Sequence, residues 1–423
     1  MTQVRWASWL AGAVVVIAAL TLCGARPTTA DVRSDEAAAI LVWPDIFFQD
    51  LSSNFNDSNS ETFVFDTVIQ LSNTSTDPVF VHCFYENANS HCTNTGEVCF
   101  DGTDCCDSTT GCGFCTPGWN ETDFHVQITP RQPLGWRAGE GMSGFDPTPP
   151  NYFGTFPIDG VHNFGLDGTS SNAGSRIPPV PENPFTGALR CIAVDQDDVP
   201  VDSNVLKGEE SPTAFVRALD GAPLSDGLRS AITVAKGNAI GIQAIPGAVN
   251  DDNVLVLGGS DAEYNGCPNF LILDHFFDGA ENPVLPETPW VPDQPVIVNL
   301  GAILTGLVLV PCSQNYQRQI PGSAVVQYLV YNEFEQRFST SRPMTCYQDI
   351  LLSNIDTTQN ERSIFSAGIA GTLTGQTRIN GIGSGLLGVA FEEHFGGSFF
   401  AAIAEFNLHY QGDRTDSDLI ILP

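Results

Sequence analysis

Four aspartates, Asp195, Asp197, Asp198 and Asp202, lie within eight residues of one another. Carboxylate oxygens are the ligands that hard cations prefer, and repulsion among four of them favours a bound Ca²⁺ ion. The EF-hand pattern is not met, because Val199 occupies its fifth position and no glycine follows. The alternative is a solvated turn. The spacing predicts a Ca²⁺ site at these four residues.

Two histidines have acidic neighbours and suit the general base of a secreted hydrolase. His275 lies between Asp274 and Asp278, and His394 follows Glu393. Histidine titrates near neutral pH, and a carboxylate can orient its ring. The sequence contains no GxSxG elbow, no HExxH helix and no P-loop. A hydrolase is therefore an alternative to a protein without catalytic activity.

A cysteine-rich insert spans residues 92–115. Its six cysteines are Cys92, Cys99, Cys105, Cys106, Cys112 and Cys115. A segment this short cannot bury a core of its own, so cross-links must hold it. Six cysteines allow fifteen pairings, and the sequence does not choose among them. Zinc is an alternative partner of these thiols, with His82 and His91 nearby. We predict three disulfides.

Five further cysteines lie outside the insert and the leader. The pairing that we expect joins Cys83 to Cys191 and Cys267 to Cys312. Because the number is odd, at least one thiol has no partner within the chain. We expect the remaining Cys346 to be buried.

The amino-terminal residues 1–30 have the form of a signal peptide. Arg5 precedes the apolar run Leu10–Leu22, whose 13 residues are too few to span a bilayer as a helix. Cleavage is expected after Ala30. Cys23 raises the alternative of a lipoprotein, although Leu22 stands where a small residue is wanted. No later segment has 18 uninterrupted apolar residues, so we expect no transmembrane segment in the mature chain. The predicted location is extracellular, at the cell surface or periplasmic.

The charge of the chain excludes one class of partner. Among 423 residues, 49 are acidic and 17 are lysine or arginine, which gives a formal net charge of −32. Nucleic-acid binding depends on basic side chains that neutralise phosphates, so a polyanion of this size is not a nucleic-acid-binding protein. The hydrophobic fraction of 42% is enough to fill about two domains of ordinary size.

The pattern along the mature chain predicts an all-β fold. Residues 62–73 (TFVFDTVIQLSN) and 79–85 (VFVHCFY) mix β-branched and aromatic residues around a turn-forming connection. The alternation of strands with long amphipathic helices that a parallel α/β sheet needs is missing. We predict two β-sandwich domains of Ig-like type.

The domain organisation follows from one proline-rich segment. Pro283, Pro286, Pro289, Pro292 and Pro295 recur every third residue, which matches polyproline II. We predict a linker over 283–295 between a first sandwich, residues 31–282, and a second sandwich, residues 296–423. The first contains the insert and a long Gly/Pro-rich loop over 140–187. That loop either straps the core or faces a ligand or partner.

Three segments, 66–85 (DTVIQLSNTSTDPVFVHCFY), 189–195 (LRCIAVD) and 330–339 (VYNEFEQRFS), resemble those of uncharacterised secreted bacterial β-sandwich proteins with a disulfide-rich insert. The resemblance implies an extracellular compartment and β architecture. It implies no activity and assigns no role to any residue.

The sequence as a whole favours a secreted or cell-surface protein without catalytic activity, with a structural, adhesion or binding role and a protein or glycan partner. Ca²⁺ is the one cofactor that it suggests. Carbohydrate binding is an alternative, in which Trp119, Trp136 or Trp290 stacks on sugar rings. These tryptophans otherwise belong to the core or the linker. The hydrolase described above is the second alternative.

Overall fold

A computed structural model describes residues 32–33, 36–50, 61–99, 103–107, 109, 111–139, 141, 177–218, 229–233, 237–248, 252–280, 302–355, 374–396 and 399–423. The predicted signal peptide (1–30), the predicted linker (283–295) and residues 142–176 of the Gly/Pro-rich loop lie outside these ranges.

The described chain is almost entirely β-strand. Its first strands are β1 (Val32–Arg33), β2 (Ile40–Asp50), β3 (Glu61–Asn73), β4 (Val79–Asn87), β5 (Ser90–Cys92), β6 (Val98–Cys99), β7 (Cys106–Asp107), β8 (Gly111–Cys112), β9 (Cys115–Pro117), β10 (Asn120–Ile128), β11 (Pro133–Arg137), β12 (Phe185–Val194), β13 (Leu206–Ala218), β14 (Arg229–Thr233), β15 (Gly237–Asn238) and β16 (Ile240–Ile242).

The later strands are β17 (Val254–Leu257), β18 (Pro268–Phe277), β19 (Gly279–Ala280), β20 (Ala302–Pro311), β21 (Gln314–Asn315), β22 (Ser323–Asn332), β23 (Arg337–Thr345), β24 (Gln348–Leu351), β25 (Thr374–Ile382), β26 (Leu386–Gly396), β27 (Phe399–Asn407), β28 (His409–Arg414) and β29 (Asp418–Ile421). One helical turn, α1 (Leu352–Ile355), follows β24. No helix in the described ranges is long and apolar enough to cross a membrane.

The first sheet has the order β10-β4-β12-β2-β3-β13-β14, and its paired strands are antiparallel. Its central strands are buried on both faces, which explains their continuous apolar sequences. Alternate residues of β4 enter different cores: Cys83 and Tyr85 face one, and Phe84 faces the other.

The second and third sheets enclose another core. The second has the order β23-β22-β25-β18-β28, and the third has the order β19-β20-β26-β27. Along β22, Val326, Tyr328 and Val330 are buried, and they share a cluster with Leu307 and Leu309 of β20. The residues between them on β22 therefore lie on the opposite, outer face of the second sheet.

The strands before and after the predicted linker pair with each other. Residues 32–423 form one compact unit. β18 precedes the predicted linker, yet it pairs with β25 and β28, which follow it. One core also joins Ile40 and Phe84 of the first sheet to Val310 and Leu387 of the third. The fold is all-β with several sheets, as predicted, whereas the count of Ig-like domains stays a prediction.

Candidate functional site

The cysteine-rich insert is held by three disulfides: Cys92–Cys105, Cys99–Cys115 and Cys106–Cys112. They connect two small sheets, β6-β5-β9 and β7-β8. Of the five expected sandwich cysteines, Cys83 pairs with Cys191 and Cys267 with Cys312. Cys346 is unpaired and buried. The insert therefore has cross-links of its own, separate from those of the large sheets.

The structure places the four aspartates of the predicted Ca²⁺ site in different surroundings. Asp195 Oδ1 accepts hydrogen bonds from the backbone of Asp197 at 2.8 Å and of Val199 at 2.9 Å. Asp197 and Asp202 are exposed. Asp198 turns toward two histidines on neighbouring strands. In the described ranges these carboxylates do not converge as one group of oxygen ligands, and Ca²⁺ binding here stays a prediction.

The structure describes two of the three tryptophans that could stack on sugar rings, Trp119 and Trp136. Trp136 is buried in the core of the first sheet, where its Nε1 donates to Tyr85 Oη at 2.7 Å. Trp119 is half-buried with its ring 6.4 Å from that of Tyr316. Trp290 lies outside the described residues. Trp136 as a sugar platform is therefore wrong, because its ring is enclosed by the core.

The structure describes the side chain of one of the two histidines that suit a hydrolase, His275. His275 is exposed and its ring packs edge-on at 5.0 Å against Phe277. Asp274 instead has Oδ2 at 3.5 Å from His409 Nε2. The side chain of His394 lies outside the described part of the chain. A hydrolase site stays a prediction.

The outer face of the second sheet forms an open groove of about 880 Å³. The strand pairing of this sheet determines which residues form the base of the groove. Gln327 of β22 lies opposite Ser341 of β23 and Asn380 of β25. Leu329, two residues further along, lies opposite Ser339 and Arg378. The remaining lining residues are Phe270, Tyr328, Arg337, Phe338 and Thr340.

Hydrogen bonds and ring contacts order the polar side chains of this groove. Asn380 Nδ2 donates to Gln327 Oε1 at 3.3 Å, which places two amides side by side. The guanidinium carbon of Arg378 lies 5.6 Å from the centre of the Tyr331 ring, within the range of a cation–π contact. Arg337 lies opposite Tyr331 on β23, so both arginines border the same end of the groove.

The groove differs in charge from the rest of the molecule. The chain carries 49 carboxylates, yet the residues that line the groove include none. They include two arginines, two serines, a threonine, a tyrosine and two amides beside Phe270 and Leu329. A second cavity of about 440 Å³ shares Arg378 and contains Glu333 and Glu335. The carboxylate-free groove is therefore the candidate binding site.

The sequence contains one signal for this groove, the strict in-out alternation of β22. That alternation identifies an outer face with Gln327, Leu329 and Tyr331, but Arg378 arrives from a strand about 50 residues later. In comparisons with known proteins, no protein-family model matches the chain and no curated protein is significantly similar to it.

Proposed function

We propose that this protein is an extracellular binding protein without catalytic activity that binds an anionic saccharide in the groove on the second sheet. The observation that carries the proposal is the lining of that groove. Arg337 and Arg378 supply positive charge where no lining residue is acidic. Guanidinium groups bind carboxylates and sulfates through paired hydrogen bonds.

The neutral residues of the lining suit a sugar. Ser339, Ser341, Gln327 and Asn380 offer both donors and acceptors, as the hydroxyl groups of a saccharide require. Phe270 adds an aromatic surface of the kind against which the C–H groups of a sugar ring can pack. The volume of about 880 Å³ falls within the usual range of small-ligand sites.

Two further observations support the extracellular and non-catalytic parts of the proposal. Five disulfides are the expected product of an oxidising compartment. The groove lining contains neither histidine nor carboxylate, which are the side chains that most often act as general acid or base.

The test is binding of the full chain to an array of anionic and neutral glycans, followed by calorimetric titration of the best anionic oligosaccharide. We expect sulfated or uronate-containing glycans to bind and their neutral counterparts to bind at least tenfold more weakly. Arg378→Gln and Arg337→Gln should each weaken binding, and the double variant should abolish it.

Arg318→Gln is the matched control, because Arg318 is exposed and does not line the groove. It should bind as the unmodified protein does. The proposal fails if no anionic glycan binds, or if the double arginine variant retains full affinity.

A further inference from the structure

Three adjacent strands of the first sheet bring two histidines and two aspartates together. The order β10-β4-β12 puts β4 in the middle. His125 of β10 lies directly opposite His82 of β4. Asp123 lies two residues before His125 and therefore on the same face of β10. Its Oδ2 is 3.3 Å from His82 Nε2.

The turn after β12 supplies the fourth side chain. Asp198 has a positive φ of 65°, in a turn that the Asp195 side chain holds by accepting two backbone hydrogen bonds. This turn sets Asp198 Oδ1 3.0 Å from His125 Nε2 and Asp198 Oδ2 3.1 Å from His82 Nδ1. Asp198 thus lies within 3.1 Å of both imidazoles.

His82 is the buried member of this group. Its side chain is 2% exposed, whereas those of Asp123, His125 and Asp198 are 41–54% exposed. His82 Nδ1 is within 3.1 Å of Asp198 but outside hydrogen-bonding alignment, so this buried nitrogen has no hydrogen-bond partner.

Ring contacts fix the orientation of His82. Its ring stacks on Phe84 with 4.2 Å between centres and lies 3.9 Å from the ring of His125. Phe84 in turn stacks on Tyr316 at 3.9 Å. The imidazole is therefore held rigidly at the rim of a core, with its exposed partners beside it, as in a preorganised ligand set.

We propose that His82, Asp123 and His125 bind a divalent transition-metal ion of the zinc class, with Asp198 as a fourth ligand or as the carboxylate that orients the two imidazoles. One potential ligand atom from each of the first three residues lies within 4.8 Å of the others. Two imidazole nitrogens with carboxylate oxygens match the ligands of Zn²⁺, and a carboxylate behind a ligating histidine is the usual support.

The donor set also selects the metal. Ca²⁺ and Mg²⁺ take oxygen ligands almost without exception, whereas imidazole suits zinc, nickel and copper. The proposed site shares one residue, Asp198, with the Ca²⁺ site that the sequence predicts at Asp195–Asp202. This metal site lies on the first sheet and is independent of the proposed saccharide groove on the second.

The experiment is calorimetric titration of the chelator-treated full chain with ZnCl₂, and separately with CaCl₂. We expect one equivalent of Zn²⁺ to bind and Ca²⁺ to fail to compete. His125→Gln and Asp123→Asn change exposed residues, so they should fold normally and lower zinc affinity at least tenfold each.

His409→Gln is the matched control, because His409 is exposed and its Nε2 lies 3.5 Å from the Asp274 carboxylate, away from the proposed ligands. It should bind zinc as the unmodified chain does. Circular dichroism checks that each variant is folded. A wild-type chain that binds no stoichiometric Zn²⁺ overturns the proposal, as does a folded His125→Gln, Asp123→Asn double variant with unchanged affinity.

Discussion

Arg190 Nε lies 3.1 Å from Glu86 Oε1 at a place where neither side chain reaches solvent. The other guanidinium nitrogens donate to the backbone oxygens of Cys312 at 2.8 Å and Pro311 at 3.1 Å. Glu86 also accepts from Gln314 Nε2 at 3.0 Å. Arg190, while paired with Glu86 in the first sheet, thereby provides hydrogen bonds to backbone carbonyl oxygens more than 100 residues away along the chain.

Arg190→Met should destabilise the protein by about 3–5 kcal/mol, because it leaves the Glu86 carboxylate buried without its countercharge. Guanidinium unfolding curves measure the loss. Adding Glu86→Met should recover part of it, since the double variant removes both charges. Arg318→Met, at an exposed position, should change the free energy of unfolding by less than about 0.5 kcal/mol. Equal losses for Arg190→Met and Arg318→Met would contradict the role given to the pair.

Stability should fall as pH rises from 5 to 8. Glu405 and Glu210 are 5% and 1% exposed. Both carboxyl groups lie beside Gly237, since a carboxyl oxygen of each is within 3.6 Å of the position that a Cβ would take there. Burial raises the pKa of Glu405 to about 7, and burial and the charge of Glu405 raise the pKa of Glu210. The unfolded glutamates titrate near pH 4.3, so the folded state holds more protons between that pH and about 7. The stabilisation from these protonated carboxyl groups is complete below the unfolded pKa of about 4.3. It is lost as the pH rises through the folded pKa, which for Glu405 is about 7.

Glu405→Gln tests this pH dependence. A change in pKa from about 4.3 to about 7 corresponds to about 3.7 kcal/mol, so the variant should gain up to that amount at pH 8 and have a shallower slope. Some slope should remain, because burial also raises the pKa of Asp66 to about 7. Urea unfolding at four pH values measures both slopes. Glu97→Gln, at an exposed residue, should follow the unmodified protein.

Mild reduction should open the disulfides in a fixed order. Cys106 and Cys112 are exposed, whereas Cys83 and Cys191 are fully buried. Reductant should therefore reach Cys106–Cys112 first and Cys83–Cys191 only on unfolding. Alkylation followed by mass spectrometry identifies the order. Simultaneous loss of both pairs would mean that the insert and the first sheet unfold together.

Removal of Cys83–Cys191 should lower the free energy of unfolding more than removal of Cys106–Cys112. Cys83 and Cys191 are 108 residues apart, so losing their bond should cost about 4–5 kcal/mol, whereas Cys106 and Cys112 are six apart and should cost about half as much. Paired Cys→Ala variants and guanidinium unfolding give both values. A larger cost for the short pair would contradict this expectation.

Cys346 should resist alkylation in the folded protein. It is 5% exposed, and burial, followed by the charge of Glu86, raises the pKa of its thiol to about 12. The reactive thiolate is therefore scarce at pH 8. Iodoacetamide should label less than a tenth of the chains in buffer and, in a chain without the leader residues 1–30, one thiol per chain in guanidinium. Rapid labelling of the folded protein would show that this region opens.

The sequence predicted strand-level features well because they are local. The apolar residues 79–85 fall within β4, and residues 189–194 form the end of β12. The metal site could not be predicted in the same way, since His82 and Asp198 meet only through the pairing of three strands. The sequence offers zinc as an alternative partner of the insert thiols, with His82 and His91 nearby, and the structure places those thiols in disulfides instead. The pairing of β18 with β25 and β28, which follow the predicted linker, is equally non-local.

The Cys267–Cys312 bond encloses residues 283–295. A protease that cuts a peptide bond anywhere between the two cysteines leaves the resulting halves covalently attached. Cys83–Cys191 does the same for every cut between residues 84 and 190, a stretch that contains the whole insert. Cleavage at either place yields a nicked but undivided molecule, whose fragments separate only after reduction. Such a chain keeps its sheets together in surroundings rich in proteases.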